Sequence, residues 1–382
     1  MRVERIPLAL YVHWPWCARK CPYCDFNSHA WRDPIPDDDY LGALLRDLDF
    51  VIGDLARRPL ESIFLGGGTP SLMSAASVQR LLDAIAARLP FAPDVEITME
   101  ANPGTAEAGR FADYRRAGVN RLSIGVQSLR DPLLAAIGRI HDAAQARAAF
   151  DMARRAGFDN VNVDLMYALP GDDAAGALSD LEAAIDWQPE QISWYQLTLE
   201  PGTPFHHRPP PLPQDDEVEA MEDRGHARLA ARGYGRYEVS AYARPGRRCR
   251  HNLNYWSYGD YLGIGAGAHA KVTGLNAIQR SARQREPRRY MAAAGTPGVA
   301  TIETVAAPGR RVFEFLLNAL RLVDGFERRI FAERTGLPEG VLLAALEPLR
   351  TRNLVQVADD RIAATAHGLR YLNEALVLLP DA

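Results

Sequence analysis

Short apolar runs alternate with longer amphipathic stretches over the first two hundred residues. Runs at 8–14, 62–66, 94–100, 121–127, 160–167 and 191–199 are rich in branched and aromatic residues and predict strands. Between them, 38–56, 75–89, 106–117, 142–156 and 173–187 predict helices; Leu81, Leu82, Ile85 and Leu89 recur at helical spacing in the second. Repeated strand–helix units predict a parallel sheet with right-handed crossovers. Six units are too few for a closed eight-fold barrel. The pattern therefore predicts an α/β fold with an open, partial (β/α)6 barrel, its site in the loops at the strand C-terminal ends.

The pattern changes after residue 200. Arg208-Pro209-Pro210-Pro211-Leu212-Pro213 predicts a rigid connection. A helix near 215–232, a strand at 236–243 and the Gly-rich stretch Gly263-Ile264-Gly265-Ala266-Gly267-Ala268-His269 follow. From about 305, helices at 311–322, 326–335 and 338–350 precede strand-like runs at 354–357 and 361–364 and a last helix at 366–377. That order predicts a winged-helix-like α+β module. The expected units are a core at 1–236, a connecting segment at 237–304 and this module at 305–382. The module is not strongly basic, so it is expected as a structural appendage rather than a DNA reader.

Composition narrows the setting. The chain has 382 residues, 47% of them apolar, and a net charge of −4. That is ample for a large core and gives no reason to expect a nucleic-acid partner. No stretch has the apolar length of a membrane span. The N-terminus runs straight into a strand rather than a secretory signal, which predicts a reducing, cytoplasmic setting.

Three of the four cysteines lie within eight residues, in Trp16-Cys17-Ala18-Arg19-Lys20-Cys21-Pro22-Tyr23-Cys24. Their odd number argues against a disulfide framework. A zinc site would need a fourth ligand, for which His13, His29 or Cys249 is available. Buried inert thiols would be scattered rather than set beside Arg19 and Lys20. Three thiolates spaced C-x3-C-x2-C can instead hold three irons of a [4Fe–4S] cube and leave the fourth open to a ligand. The motif is similar to that of the radical S-adenosylmethionine (SAM) superfamily.

Each predicted strand end carries polar or glycine residues. Gly66-Gly67-Gly68-Thr69-Pro70 lets a ligand approach the backbone, or simply makes a tight turn. It resembles the superfamily motif that meets the amino group of SAM. Glu100 offers an acceptor for ribose hydroxyls, or a helix cap. Gln127 both donates and accepts, Arg139 can clamp a carboxylate, and Asp164 stands among apolar neighbours where a carboxylate needs partners. Tyr11 and Tyr23 read as wall residues, Tyr23 with its backbone beside the cluster.

Together these motifs resemble the family of oxygen-independent coproporphyrinogen III dehydrogenases and its heme-chaperone branch, HemW. The resemblance runs from Tyr11-Val12-His13 through Gly171, includes Leu197-Thr198-Leu199-Glu200-Pro201-Gly202-Thr203, and takes in the C-terminal module. It implies one [4Fe–4S] cluster on Cys17, Cys21 and Cys24. It also implies SAM at Tyr11, Gly67, Gly68, Thr69, Glu100, Gln127, Arg139 and Asp164, with Tyr23 alongside. The dehydrogenases carry a further cysteine where this chain has Phe26, and a longer N-terminal extension than the ten residues before Tyr11 here. His251-Asn252-Leu253-Asn254-Tyr255-Trp256 resembles the H-N-x-x-Y-W motif linked to heme in the chaperone branch. His251 is the first expected iron ligand, with Cys249 and Tyr255 as alternatives, and Arg244, Arg247, Arg248 and Arg250 the expected propionate partners. The expectation is a heme chaperone that passes heme to acceptor hemoproteins, without nucleic acid or a transmembrane segment, but with room for transient contact with membrane proteins. The rival is the dehydrogenase itself, which converts coproporphyrinogen III to protoporphyrinogen IX by oxidative decarboxylation; a third reading is a radical-SAM enzyme on another small substrate.

Overall fold

The computed structural model describes residues 3–30, 35–104, 109–275 and 277–379. Strands β1 (Leu8–Trp14), β2 (Leu60–Gly67), β3 (Phe91–Ala101), β4 (Arg121–Gln127), β5 (Val161–Tyr167) and β6 (Gln191–Gln196) pair in chain order, each parallel to the last. Helices α1 (Asp37–Ile52), α2 (Ala75–Ala86), α3 (Phe111–Ala117), α4 (Ala143–Arg155) and α5 (Ala174–Asp186) return the chain between them. Local chemistry starts these helices. Ser74 accepts from the Ser77 amide, and Asp142 and Gln145 form a reciprocal capping box. Leu81, Leu82 and Ile85 of α2 pack into the main core beside Ile63, Leu65 and Met99 of the sheet. Of the predicted helix 106–117, residues 105–108 lie outside the described residues.

Residues 237–304 do not form a connection apart from the barrel; they complete its sheet. β9 (Asp260–Ile264) lies parallel to β1 on the edge away from β2, as a seventh parallel strand. β10 (His269–Thr273), β11 (Ile278–Arg283) and β12 (Ala300–Val305) continue antiparallel. At the other edge the single strand expected at 236–243 is a hairpin, β7 (Gly235–Glu238) and β8 (Ala241–Ala243), with β8 paired to β6. The full order is β12-β11-β10-β9-β1-β2-β3-β4-β5-β6-β8-β7. Two features seat β9. Asp260, fully buried, accepts from Arg58 (2.8 Å), Lys271 (3.1 Å) and Thr273 (2.7 Å). Gly265 has φ +103°, and a Cβ there would lie 2.4 Å from the His13 carbonyl oxygen, so the close return beside β1 requires glycine.

The C-terminal module has its own apolar core. A helix, Asp215–Ala231 (α6), and the short helix Arg250–Trp256 (α7) precede it. Within it, α8 (Pro308–Ala319), α9 (Arg328–Thr335) and α10 (Glu339–Thr351) pack with β13 (Phe326–Glu327), β14 (Val355–Ala358) and β15 (Arg361–Ala364), ordered β13-β15-β14. The helix expected at 326–335 begins at Arg328, because Phe326 and Glu327 pair with β15. The last helix is divided at Tyr371 into Ala366–Arg370 and Leu372–Val377. Among the described residues no helix is long and apolar enough to cross a membrane.

Candidate functional site

The cysteine loop leaves β1 and is held at both ends. Residues Trp16–Cys17 pair with His29–Ala30 in a two-residue parallel ladder. Lys20 donates to the carbonyls of Phe26 (3.0 Å) and Ser28 (3.2 Å). Asn27 donates to the carbonyls of Ala266 (2.9 Å) and Arg285 (2.8 Å), which docks the loop on the far part of the sheet. Cys17, Cys21 and Cys24 are all free thiols and line one cavity of about 460 Å³ at the strand C-terminal ends. Burial pushes the Cys17 thiol up to about 11 and raises that of Cys24. Cys249, offered as a fourth ligand, is elsewhere: it is buried with its thiol 3.4 Å from Glu96. His13 has both ring nitrogens engaged, with the Tyr11 hydroxyl (2.9 Å) and the Asn27 carbonyl (3.0 Å).

This donor set suits a cluster. Three thiols from one loop face a shared space, as an iron–sulfur cube with one open corner requires. Among the described residues no three His, Cys, Asp or Glu side chains converge as ligands of a single ion. The glycines at the end of β2 let this turn pack directly on β1 and the start of the cysteine loop. A Cβ on Gly67, with φ +118°, would lie 2.6 Å from the His13 ring, and one on Gly68 would lie 2.5 Å from the Trp16 carbonyl oxygen.

The residues expected around SAM are scattered along the first 164 residues, yet nearly all line this same cavity: Tyr23, Gly67, Gly68, Thr69, Glu100, Gln127, Arg139 and Asp164. Glu100 accepts from the Gly67 amide at 3.0 Å, and burial, aided by Asp164, pushes its carboxyl up to about 8. Arg139 donates to Asn102 and to the Gly125 carbonyl, both at 2.7 Å, and lies 3.8 Å from the Cys21 sulfur. Gln127 ends β4 with φ +70°, a conformation few side chains adopt, and accepts from Tyr195 at 2.9 Å. Asp164 accepts from Ser123 (3.0 Å) and Asn162 (2.7 Å); burial raises its carboxyl and these donors oppose the shift. Tyr11 is the exception. Its ring is absent from this cavity and lines a second one.

The barrel interior also holds polar residues that motif reading passed over: Asn102, Ser123, Asn162, Ser193, Tyr195 and the buried Arg121. Their signal was period two. Ser123, Gly125 and Gln127 on β4, Asn162 and Asp164 on β5, and Gln191, Ser193 and Tyr195 on β6 alternate with apolar residues and point inward.

The second cavity, about 440 Å³, adjoins the first and shares Phe26, Gly67, Glu100 and Trp256 with it. Tyr11, Tyr255, Tyr258 and Tyr261 supply aromatic walls. Helix α7 brings Tyr255 and Trp256 here. Glu96 accepts from the Arg250 (3.0 Å) and His251 (3.2 Å) amides at its N-terminus, where a negative charge is favoured. His251 does not face either cavity. It is buried, with Nδ1 2.9 Å from the Ser62 hydroxyl and Nε2 3.0 Å from the Tyr255 hydroxyl, and burial lowers it to about 3. His251, the first expected iron ligand, thus has both nitrogens engaged here, bracing α7 against β2. The arginines upstream are likewise engaged away from the cavity. Arg250 pairs with Glu61 and Asp94, Arg248 with Asp324 and Arg247 with Asp159, while Arg244 stacks on Tyr234.

Known proteins resemble this arrangement along its whole length. Residues 11–183 match the Radical SAM superfamily and residues 308–371 the HemN C-terminal domain. The Escherichia coli K12 protein named heme chaperone HemW is 48% identical over 98% of this chain and 99% of its own. Its Haemophilus influenzae namesake is 44% identical over 97% of each. The solved structure of Escherichia coli coproporphyrinogen III oxidase, HemN, covers 99% of this chain and 91% of its own with a TM-score of 0.82; at 24% identity that is a likeness of fold. The ordered cysteine loop, the strand-end residues and these end-to-end identities lead to one conclusion: the chain belongs to the heme chaperone HemW family of radical SAM proteins.

Proposed function

We propose that this chain binds heme and delivers it to acceptor hemoproteins, using a radical-SAM core that carries a [4Fe–4S] cluster and SAM. The observation that carries the reading is the end-to-end identity with proteins named for that role. The two adjoining cavities support it, since a flat cargo then has room outside the space faced by the cysteines. In this reading Cys17, Cys21 and Cys24 hold the cluster, which supplies an open iron for SAM and a source of electrons. The Gly67–Gly68–Thr69 turn meets the amino group of SAM, Arg139 its carboxylate and Glu100 its ribose. Gln127 and Asp164 complete the polar lining, and the Tyr23 backbone lies beside the cluster. Tyr11, by the position of its ring, serves the second cavity. Residues 1–236 then supply the cluster and SAM positions, 237–304 the aromatic wall, and 305–382 a supporting module. The setting is the cytoplasm, where thiols stay reduced. Nucleic acid is not a partner, and acceptors include proteins at the membrane met transiently.

The test gives the anaerobically reconstituted protein ferric heme and, separately, coproporphyrinogen III with SAM and a reductant. Stoichiometric Soret absorbance without protoporphyrinogen is the expected result. Multiple turnovers to protoporphyrinogen would overturn it.

A further inference from the structure

We infer that heme seats in the second cavity with the imidazole of His269 as its iron ligand. This rests on the heme-carrying reading above and names the site that reading leaves unassigned. Two histidines, His13 and His269, line the cavity, and His251 stands behind its Tyr255 wall. His13 and His251 each have both nitrogens in hydrogen bonds. His269, the first residue of β10, lines the cavity and is exposed, and its ring makes no hydrogen bond among the described residues. It is therefore the imidazole that can take a metal without first breaking the structure.

The surroundings fit a porphyrin. Tyr255, Trp256, Tyr261 and Tyr11 offer apolar ring surface for a flat macrocycle. A cavity of about 440 Å³ cannot enclose a whole heme, so one edge stays outside, where an acceptor can reach it. Phe26, 54% exposed, stands at the junction of the two cavities and covers part of that edge. Partial burial of the ring, and then the charges of Arg280, Arg285 and Arg283 nearby, hold the imidazole below its ordinary range. A neutral imidazole is the form that binds metal. Arg280 is tied to Glu314, but Arg285 is exposed and has no ion pair among the described residues, so it is free for a propionate. Gly267 explains the placement: with φ +81°, a Cβ there would lie 2.5 Å from Asn27, so the turn before His269 packs directly on the cysteine loop.

The experiment uses the full chain with its cluster reconstituted. Ferric heme and metal-free protoporphyrin IX are titrated separately into the wild type, His269→Ala and His269→Met, followed by Soret difference spectra and electron paramagnetic resonance. The wild type should bind one heme. His269→Ala should lose the imidazole signature and bind heme about tenfold or more weakly, with protoporphyrin IX affinity unchanged, since that probe has no iron to ligate. His269→Met should bind heme with an altered spectrum. Unchanged heme binding in His269→Ala, or equal weakening toward both probes, overturns the site and leaves the chaperone reading standing. A wild type that binds no heme overturns both.

Discussion

Replacing His251 with alanine separates a brace from a ligand. The imidazole joins Ser62 on β2 to Tyr255 on α7, at 2.9 and 3.0 Å, and packs 5.0 Å from the Phe64 ring. His251→Ala strands the buried Ser62 hydroxyl and the part-buried Tyr255 hydroxyl, at about 1–3 kcal/mol each at most, and leaves a hole beside Phe64. The expected loss is about 2–6 kcal/mol. It should appear as a lower urea midpoint for the barrel, followed by tryptophan fluorescence, because all six tryptophans precede the C-terminal module. Acid adds a second signature. His251 titrates near 3 in the folded chain against 6.5 when free, so the fold keeps it neutral. The stability it contributes is complete above about pH 6.5 and drains away as pH falls toward 3. At pH 5 the gap of about 1.5 pH units amounts to about 2 kcal/mol. The wild type should therefore lose stability between pH 7 and pH 5 more steeply than His251→Ala, by about that amount. The heme-ligation spectrum of the variant should retain its imidazole signature. An unchanged midpoint together with a lost imidazole signature would refute the reasoning and return His251 to the iron.

Other outcomes follow from the first cavity. Replacing Cys17, Cys21 and Cys24 together with alanine should abolish the broad absorbance near 400 nm and bring bound iron to background; four retained irons per chain would rule out the cluster assignment. Glu100→Ala and Asp164→Ala should each weaken SAM by about 5- to 150-fold in calorimetric titration, the equivalent of about 1–3 kcal/mol, and unchanged affinity in both would place SAM elsewhere. Gly68→Ala forces a methyl group within 2.5 Å of the Trp16 carbonyl oxygen, a contact that only backbone movement relieves. It should cost about 1–3 kcal/mol in urea denaturation and lower cluster iron after reconstitution, whereas full iron at wild-type stability would show that the loop shifts freely.

Much of the fold is legible along the chain because it is local. The runs that became β1 to β6 are short and rich in branched and aromatic residues, and Ser74 and Asp142 mark helix starts through bonds to residues three positions on. The candidate cofactor residues are legible for a related reason. Gly67, Gly68, Thr69, Glu100 and Gln127 fall at or just past the ends of predicted strands, and parallel strands joined by right-handed crossovers all end on one face. The inward polar residues Ser123, Asn162 and Ser193 are half-legible: alternation marks them, but no motif does.

By itself, then, the chain determined the six-fold alternation, the C-x3-C-x2-C loop and the polar strand ends, all of which depend on spacings within single segments. Only the tertiary structure decided that Asp260–Ile264 pairs with a strand some 250 residues earlier, because its place is set by the buried ion network of Asp260 and the close approach at Gly265. It alone turned Tyr11 from the first cavity to the second. It also set the His251 ring between Ser62 and Tyr255. A histidine with two aromatics looks the same in sequence whether it meets iron or braces a helix; which it does depends on what lies opposite. Here Ser62 and Tyr255 already occupy both nitrogens, while His269, unremarked at the end of a glycine-rich run, keeps both of its own free of hydrogen bonds among the described residues.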